Sequence, residues 1–157
     1  MSNYDSFRRR EIPQPEIVYD ISDADESAQP LNKSKSVLIL EDDGDFAAML
    51  KDTLQFEGYQ ITIVTNGADG LKKIMAGEFD VILCDMVMQN FPGDMFYLAV
   101  ERIRPQQCQR FIFMTGHKGD QKIEQFINKI NGLMLWKPFE MHELHAAIHA
   151  KLGKIQS

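Results

Sequence analysis

The feature that most constrains the fold of this chain is a short apolar run at residues 81–84, which ends at the carboxylate Asp85. A run that is apolar at every position predicts a strand covered on both faces, as is typical of parallel sheets in α/β proteins. A second such run, residues 37–40, is followed directly by the acids Glu41, Asp42 and Asp43. Because ligands bind beyond the carboxyl ends of strands in open α/β sheets, these acids converge with Asp85 if the two strands are neighbours.

Strand and helix patterns alternate over the rest of the chain. Strands are predicted at residues 37–40, 59–64, 81–84, 110–114 and 133–136. Apolar residues at helical spacing, closed by glycine or proline, predict helices at residues 45–56, 66–76, 94–103, 120–130 and 141–152. In the second helix the predicted apolar face is Ala68, Leu71, Ile74 and Met75. Five such alternations predict a parallel sheet with right-handed crossovers and helices on both faces.

Composition limits the organisation and the partners. The 157 residues fit one domain, predicted at 35–157. Residues 1–34 contain three prolines and an acidic stretch with poor apolar periodicity, which predicts a flexible N-terminal extension. A net charge of −6 argues against nucleic acid and anionic membrane as main partners. The lack of a long apolar stretch predicts a cytoplasmic protein.

Polar groups follow four of the predicted strands. Besides the acids, Thr115 follows the fourth strand and Lys137 the fifth. Carboxylates placed together repel one another, and a hard divalent cation with oxygen ligands relieves this repulsion, which favours Mg²⁺. A carboxylate, a metal ion, a hydroxyl and an ammonium group together suit a phosphoryl group. In-line attack by a carboxylate oxygen would then form an aspartyl phosphate.

From about residue 35 to residue 152 the chain resembles the receiver domain of two-component response regulators, in the CheY-like superfamily. Four motifs carry the resemblance, each at the end of a predicted strand. They are Leu40-Glu41-Asp42, Asp85 with Met88 and Gly93 downstream, Met114-Thr115-Gly116, and Trp136-Lys137-Pro138-Phe139. Each motif alone is weak evidence, but four in order at the ends of the right strands are specific.

The resemblance implies a flavodoxin-like fold, with strand order 2-1-3-4-5, and a role for each motif residue. Asp85 is implied as the phosphoacceptor. Glu41 and Asp42 are implied as the acids of the Mg²⁺ site, Asp42 as a direct ligand and Glu41 through water, with Asp85 and the backbone carbonyl of Val87 as further ligands. In the family, the Lys-Pro bond is commonly cis. The switch hydroxyl and the counter-ion of the phosphoryl group are implied to be Thr115 and Lys137.

Four positions bear on how such a site would work. Gln89 stands where the family usually has proline, which predicts a less rigid loop after Asp85. Met134 stands where an aromatic usually accompanies the movement of the switch hydroxyl, and a flexible thioether fills that space without a fixed rotamer. Val87 and His117 flank the predicted pocket and do not position an attacking water as a carboxamide or carboxylate would. We therefore expect slow autodephosphorylation.

The implied function is a single-domain signalling switch rather than an enzyme. Asp85 would take a phosphoryl group from a histidine kinase or a histidine phosphotransfer protein. The chain would then bind a downstream protein through its last strand and helix, or pass the group on in a relay. A hydrolase of the haloacid-dehalogenase type is disfavoured, because Val87 stands where those enzymes place a second aspartate. A docking module that keeps the fold without phosphorylation stays open, although the motif residues weigh against it.

Other residues have a structural interpretation beside a functional one. Asp43 is predicted to cap the first helix rather than to bind metal. Cys84 and Cys108 are predicted to be reduced packing residues. His145 and His149 have the i, i+4 spacing that can bind zinc, but exposed polar positions are favoured for both.

Overall fold

The computed structural model describes the backbone of residues 34–155 and the side chains of residues 34–153. The predicted extension lies outside the described residues apart from Ser34. The strands are β1 (Ser36–Leu40), β2 (Gln60–Val64), β3 (Val81–Asp85), β4 (Phe111–Thr115) and β5 (Leu133–Trp136). They form one parallel sheet in the order β2-β1-β3-β4-β5. The predicted strand order is therefore confirmed.

Helices connect the strands. They are α1 (Gly44–Phe56), α2 (Gly67–Ala76), α3 (Gly93–Ile103), α4 (Gln121–Ile130) and α5 (Met141–Ile155). A short 3-10 helix, Pro105–Arg110, was not predicted, and β4 therefore begins at Phe111 rather than at residue 110. Its buried Gln107 accepts a hydrogen bond of 2.9 Å from the Phe79 N–H group, which ties this turn to the start of β3. Within residues 34–155 no helix is long and apolar enough to cross a membrane.

Side-chain caps fix where helices begin. The Asp43 carboxylate accepts hydrogen bonds of 3.1 Å from the N–H groups of Asp45 and Phe46, which confirms its predicted role as a cap. Asn66 caps α2 in the same way, by accepting a bond of 2.8 Å from Asp69 N–H. These bonds satisfy N–H groups that have no partner inside their helix.

The sheet separates two apolar cores, because neighbouring residues of a strand point to opposite faces. On one face Leu38 and Leu40 of β1 pack with apolar residues of α2, α3 and α4. On the other face Val37 and Ile39 pack with residues of α1 and α5. The sheet is thus covered on both faces, as the apolar strands predicted.

The apolar face predicted for α2 is partly wrong. Ala68 is exposed and Met75 is 54% exposed, whereas Gly67 and Gly70 are buried. The reason is that two aromatic rings lie directly on these glycines, Phe91 on Gly67 and Phe96 of α3 on Gly70. A Cβ atom at Gly67 would lie 1.6 Å from the ring of Phe91, so only glycine fits beneath it.

Both cysteines are free thiols, Cys84 buried within β3 and Cys108 half-buried in the 3-10 helix. Burial raises the pKa of Cys84 well above its usual value, and it also raises the pKa of Cys108. Neutral thiols at these positions agree with the predicted packing role.

Candidate functional site

The register of the sheet brings the predicted site residues to one edge. β1 and β3 are aligned neighbours, so Glu41 and Asp85 lie side by side at their carboxyl ends. Thr115, the last residue of β4, pairs with the last residue of β5, which Lys137 follows. The residues that follow or end these four strands, Glu41, Asp85, Thr115 and Lys137, therefore lie at the same edge of the sheet, as the sequence predicted.

Three carboxylates form a cluster at this edge. One oxygen each from Glu41, Asp42 and Asp85 lies within 4.8 Å of the other two. Glu41 is 1% exposed and Asp85 is 6% exposed, while Asp42 faces solvent. Two buried acids beside a third acid need positive charge, and oxygen donors of this kind are the ligands that Mg²⁺ prefers. The donor set therefore fits the predicted metal.

Lys137 supplies positive charge to two of the acids. Its Nζ atom lies 2.6 Å from Glu41 Oε2 and 3.3 Å from Asp85 Oδ2. Burial opposes the charged ammonium, but the hydrogen bond to Glu41 and the attraction of both carboxylates outweigh it, so the pKa of Lys137 is raised. Burial also raises the pKa of Glu41, although the Lys137 hydrogen bond and the Asp43 N–H group oppose this effect. The Lys137–Pro138 peptide bond is cis, as the resemblance implied.

An aromatic residue of the first predicted helix also contacts Lys137, and sequence reasoning gave it no role at the site. The Nζ atom lies 4.6 Å from the ring centroid of Phe46, in the first turn of α1. The ring of Phe139 meets the Phe46 ring edge to face, with centroids 5.8 Å apart. The only sequence signal for this contact was the place of Phe46, one turn after the acids that follow β1.

The two oxygens of Asp85 have separate partners. Oδ1 accepts a hydrogen bond of 3.0 Å from the Val87 N–H group, and Oδ2 accepts from Lys137. The Val87 side chain is exposed beside this carboxylate. The metal role of the Val87 carbonyl group stays a prediction, because Val87 contacts Asp85 through its N–H group.

The loop between β3 and α3 has contacts at two points. The N–H group of Gln89 donates a 3.4 Å hydrogen bond to Asp42 Oδ2, which joins the loop to the acid cluster. Phe91 packs on Gly67 of α2 and meets the ring of Phe96 edge to face. These contacts hold the segment in which Gln89 stands where the family usually has proline.

The hydroxyl of Thr115 is buried and already hydrogen-bonded. Its Oγ1 atom accepts a bond of 3.1 Å from the N–H group of His117. Met134, where the family usually has an aromatic, is half-buried and lines a cavity of about 180 Å³ together with Trp136 and residues of α4. Space for side-chain rearrangement thus lies on the α4 side of β5.

The histidines of α5 are placed differently from each other. His149 is exposed, as predicted, but His145 is half-buried, and its Nε2 atom lies 2.5 Å from Glu57 Oε1 at the end of α1. The prediction for His145 was wrong because Glu57, far away in sequence, turns toward it. Within the described side chains, the cluster of three or more potential metal ligands is the one at Asp85.

Comparison with known proteins identifies the family. Residues 37–149 match the family model of the response regulator receiver domain. The chain belongs to this family. Receiver domains are signalling modules of two-component systems rather than enzymes in the ordinary sense.

Solved receivers share the fold. The chain is similar to the chemotaxis protein CheY4 of Vibrio cholerae, with a TM-score of 0.67 and 26% identity, over 76% of this chain and 99% of that one. It is also similar to a CheY-like receiver domain protein of Methanospirillum hungatei, with a TM-score of 0.71 and 26% identity, over 77% and 95%. These similarities agree with the strand order of this receiver.

Curated relatives are longer. An uncharacterized transcriptional regulatory protein of Bacillus subtilis, YkoG, is 30% identical over 74% of this chain and 50% of its own length. The response regulator ArlR of Staphylococcus haemolyticus is 31% identical over 76% of this chain and 53% of its own length. The receiver thus spans about half the length of these relatives. Some of them are named transcriptional regulators. The prediction from net charge that nucleic acid is not a main partner is therefore not supported.

Proposed function

We propose that this receiver takes a phosphoryl group from a phosphohistidine donor onto Asp85, in a reaction that needs Mg²⁺. One observation carries the proposal: the Asp85 carboxylate belongs to the acid cluster, and each of its two oxygens accepts a hydrogen bond, Oδ1 from Val87 N–H and Oδ2 from the Lys137 ammonium. The donor would be a histidine kinase or a histidine phosphotransfer protein. Glu41, Asp42, Asp85 and the Val87 carbonyl would hold the ion.

The chain's own groups orient the reacting carboxylate. Val87 N–H and Lys137 fix the two Asp85 oxygens, and one of these oxygens attacks the phosphorus in line. A new O–P bond forms as the P–N bond to the donor imidazole breaks, and the imidazole keeps the electron pair and takes a proton from water. When bound, Mg²⁺ would supply positive charge that neutralises the phosphoryl oxygens. Lys137 adds a further positive charge beside Asp85.

The response to phosphorylation would start at Thr115. To bind a phosphoryl oxygen, its hydroxyl turns away from the His117 N–H group that it now accepts from. That movement opens space beside Met134 and changes the surface of β5 and α5, through which a downstream protein would bind. Onward transfer of the group in a relay is the other use of the same chemistry. Since Val87 and His117 do not position water, dephosphorylation is expected to be slow.

The experiment is intact-mass spectrometry after incubation with phosphoramidate or acetyl phosphate. We expect one added phosphoryl group on the parent, which is absent without Mg²⁺ and absent in Asp85→Asn. Asp43→Asn is the matched control, because asparagine keeps the helix cap and this acid is not proposed as a metal ligand. If the parent gains no mass and binds no Mg²⁺, the chain is a phosphorylation-independent docking module.

A further inference from the structure

We propose that Phe46 is a positioning residue for Lys137: its ring holds the ammonium on the two carboxylates, and so sets the rate at which Asp85 is phosphorylated. The kinetic part rests on the proposed function, whereas the placement of Lys137 does not. The ring centroid lies 4.6 Å from Nζ, within the range of a cation–π interaction.

The ring lies where Lys137 has no carboxylate partner. An ammonium has three N–H donors, and two of them are taken by Glu41 and Asp85. Lys137 is 24% exposed, and its four-carbon chain is flexible enough to turn the ammonium to solvent. Contact with the negative face of an aromatic ring favours the inward position without a further acid.

Phe46 is itself held from several sides. Its N–H group donates to the Asp43 carboxylate at 3.1 Å, and the N–H group of Asp43 donates to Glu41 Oε1 at 3.0 Å. Glu41 Oε2 accepts a hydrogen bond from Lys137, and Lys137 contacts the Phe46 ring. Phe46, Asp43, Glu41 and Lys137 therefore form a closed circuit of contacts, in which each residue contacts the next. The ring of Phe139, which is not one of these four residues, contacts the Phe46 ring edge to face and steadies it. The aromatic contact is the one link in the circuit that is not a hydrogen bond.

The first test is the NMR signal of the Lys137 side chain, assigned by its loss in Lys137→Met. We expect its Hε protons to resonate upfield of those of exposed lysines, because they lie near the ring. This shift is lost in Phe46→Leu and kept in Phe46→Tyr. A shift that survives in Phe46→Leu overturns the placement, whether or not the chain can be phosphorylated.

The second test is the rate of phosphorylation by phosphoramidate with Mg²⁺. We expect Phe46→Leu to be slower by about five-fold, and Phe46→Tyr to stay within about two-fold of the parent. In a Lys137→Met background, Phe46→Leu should cause no further slowing. Phe56→Leu, on the same helix but at a 94% exposed position, is the control and should match the parent.

The outcomes separate the two proposals. A parent chain that gains no phosphoryl group refutes the proposed function, while the NMR signal still decides where Lys137 lies. A parent that reacts, with Phe46→Leu equally fast, overturns the role of Phe46. The role of Phe46 is also overturned if Phe46→Leu slows phosphorylation equally in the parent and in the Lys137→Met background, because such slowing does not act through Lys137.

Discussion

Lys137 makes its shorter ion pair with Glu41, at 2.6 Å, and its longer one, at 3.3 Å, with Asp85. Glu41 is the more deeply buried of the two acids, so its charge depends more on this partner. The ammonium thus stabilises the acid of the proposed metal site while it stays within reach of the proposed phosphoacceptor.

Replacing Lys137 by methionine should destabilise the fold in a pH-dependent way. At neutral pH we expect a loss of about 2 kcal/mol, because two buried carboxylates lose their counter-ion. The pKa of Glu41, already raised by burial, rises further without Lys137. In the variant, the folded chain opposes ionisation of Glu41. This opposition costs no stability below the unfolded pKa of Glu41, where the group is protonated in both states, and it costs more as the pH rises above that value. The deficit should therefore shrink toward about pH 4.5.

Urea unfolding without divalent cations, near neutral pH and in mild acid, measures this deficit. Lys72→Met is the control, because that lysine is exposed on α2 and should change stability by less than about 0.5 kcal/mol. An equal deficit at both pH values would instead assign the loss to packing of the lysine stem.

Mg²⁺ should stabilise the chain through Asp42. At a concentration of about ten times its dissociation constant, the ion adds about 1.4 kcal/mol to the free energy of unfolding. We expect Asp42→Asn to lose most of this gain, because Asp42 is the exposed carboxylate of the cluster and is therefore the one that a hydrated ion can reach. Asp43→Asn should keep it. Thermal unfolding with and without Mg²⁺ is the measurement, and equal gains in both variants would remove Asp42 from the site.

Gly67→Ala should destabilise by about 1–3 kcal/mol, because the new methyl group overlaps the Phe91 ring. The same substitution in a Phe91→Ala background should cost much less, since the ring is gone. Gly44→Ala, at the first position of α1 where a Cβ meets no atom within 4 Å, is the matched control and should be neutral or stabilising. Chemical denaturation of the four variants tests this, and equal losses at Gly67 with and without the ring would exclude the overlap.

Tyr97 should make the fold sensitive to alkali. Burial, with a smaller contribution from Cys108, raises its pKa from 10.0 to about 12. Because its pKa is higher in the folded state, stability is complete below pH 10.0 and falls as pH rises toward about 12, by roughly 2 kcal/mol. Tyr97→Phe should not show this part of the loss. Ultraviolet titration of tyrosinate gives the pKa directly, and ionisation of Tyr97 near pH 10 in the folded chain would contradict it.

The meeting of the acids with Lys137 could be predicted from the sequence, and the strand order followed from the resemblance to receiver domains. Parallel strands end at one edge of the sheet, so residues that follow neighbouring strands come close together. The contacts of Phe46 with Lys137 and of Glu57 with His145 could not, because they depend on how each helix is rotated against distant elements.

The error in α2 has a similar cause. Apolar periodicity scores Ala68 and Met75 as core residues and passes over glycine. Gly67 is nevertheless buried, because an aromatic ring from another element occupies the space its missing side chain leaves. A pattern within one helix contains no information about such a ring.

The pair formed by Lys137 and Glu41 joins positions 96 apart in the chain. During synthesis, β1, β3 and their acids leave the ribosome long before β5 does. A nascent chain that has not yet exposed residue 137 therefore contains the carboxylates without their ammonium. The proposed acceptor therefore has its full set of charged neighbours only when the last strand is in place.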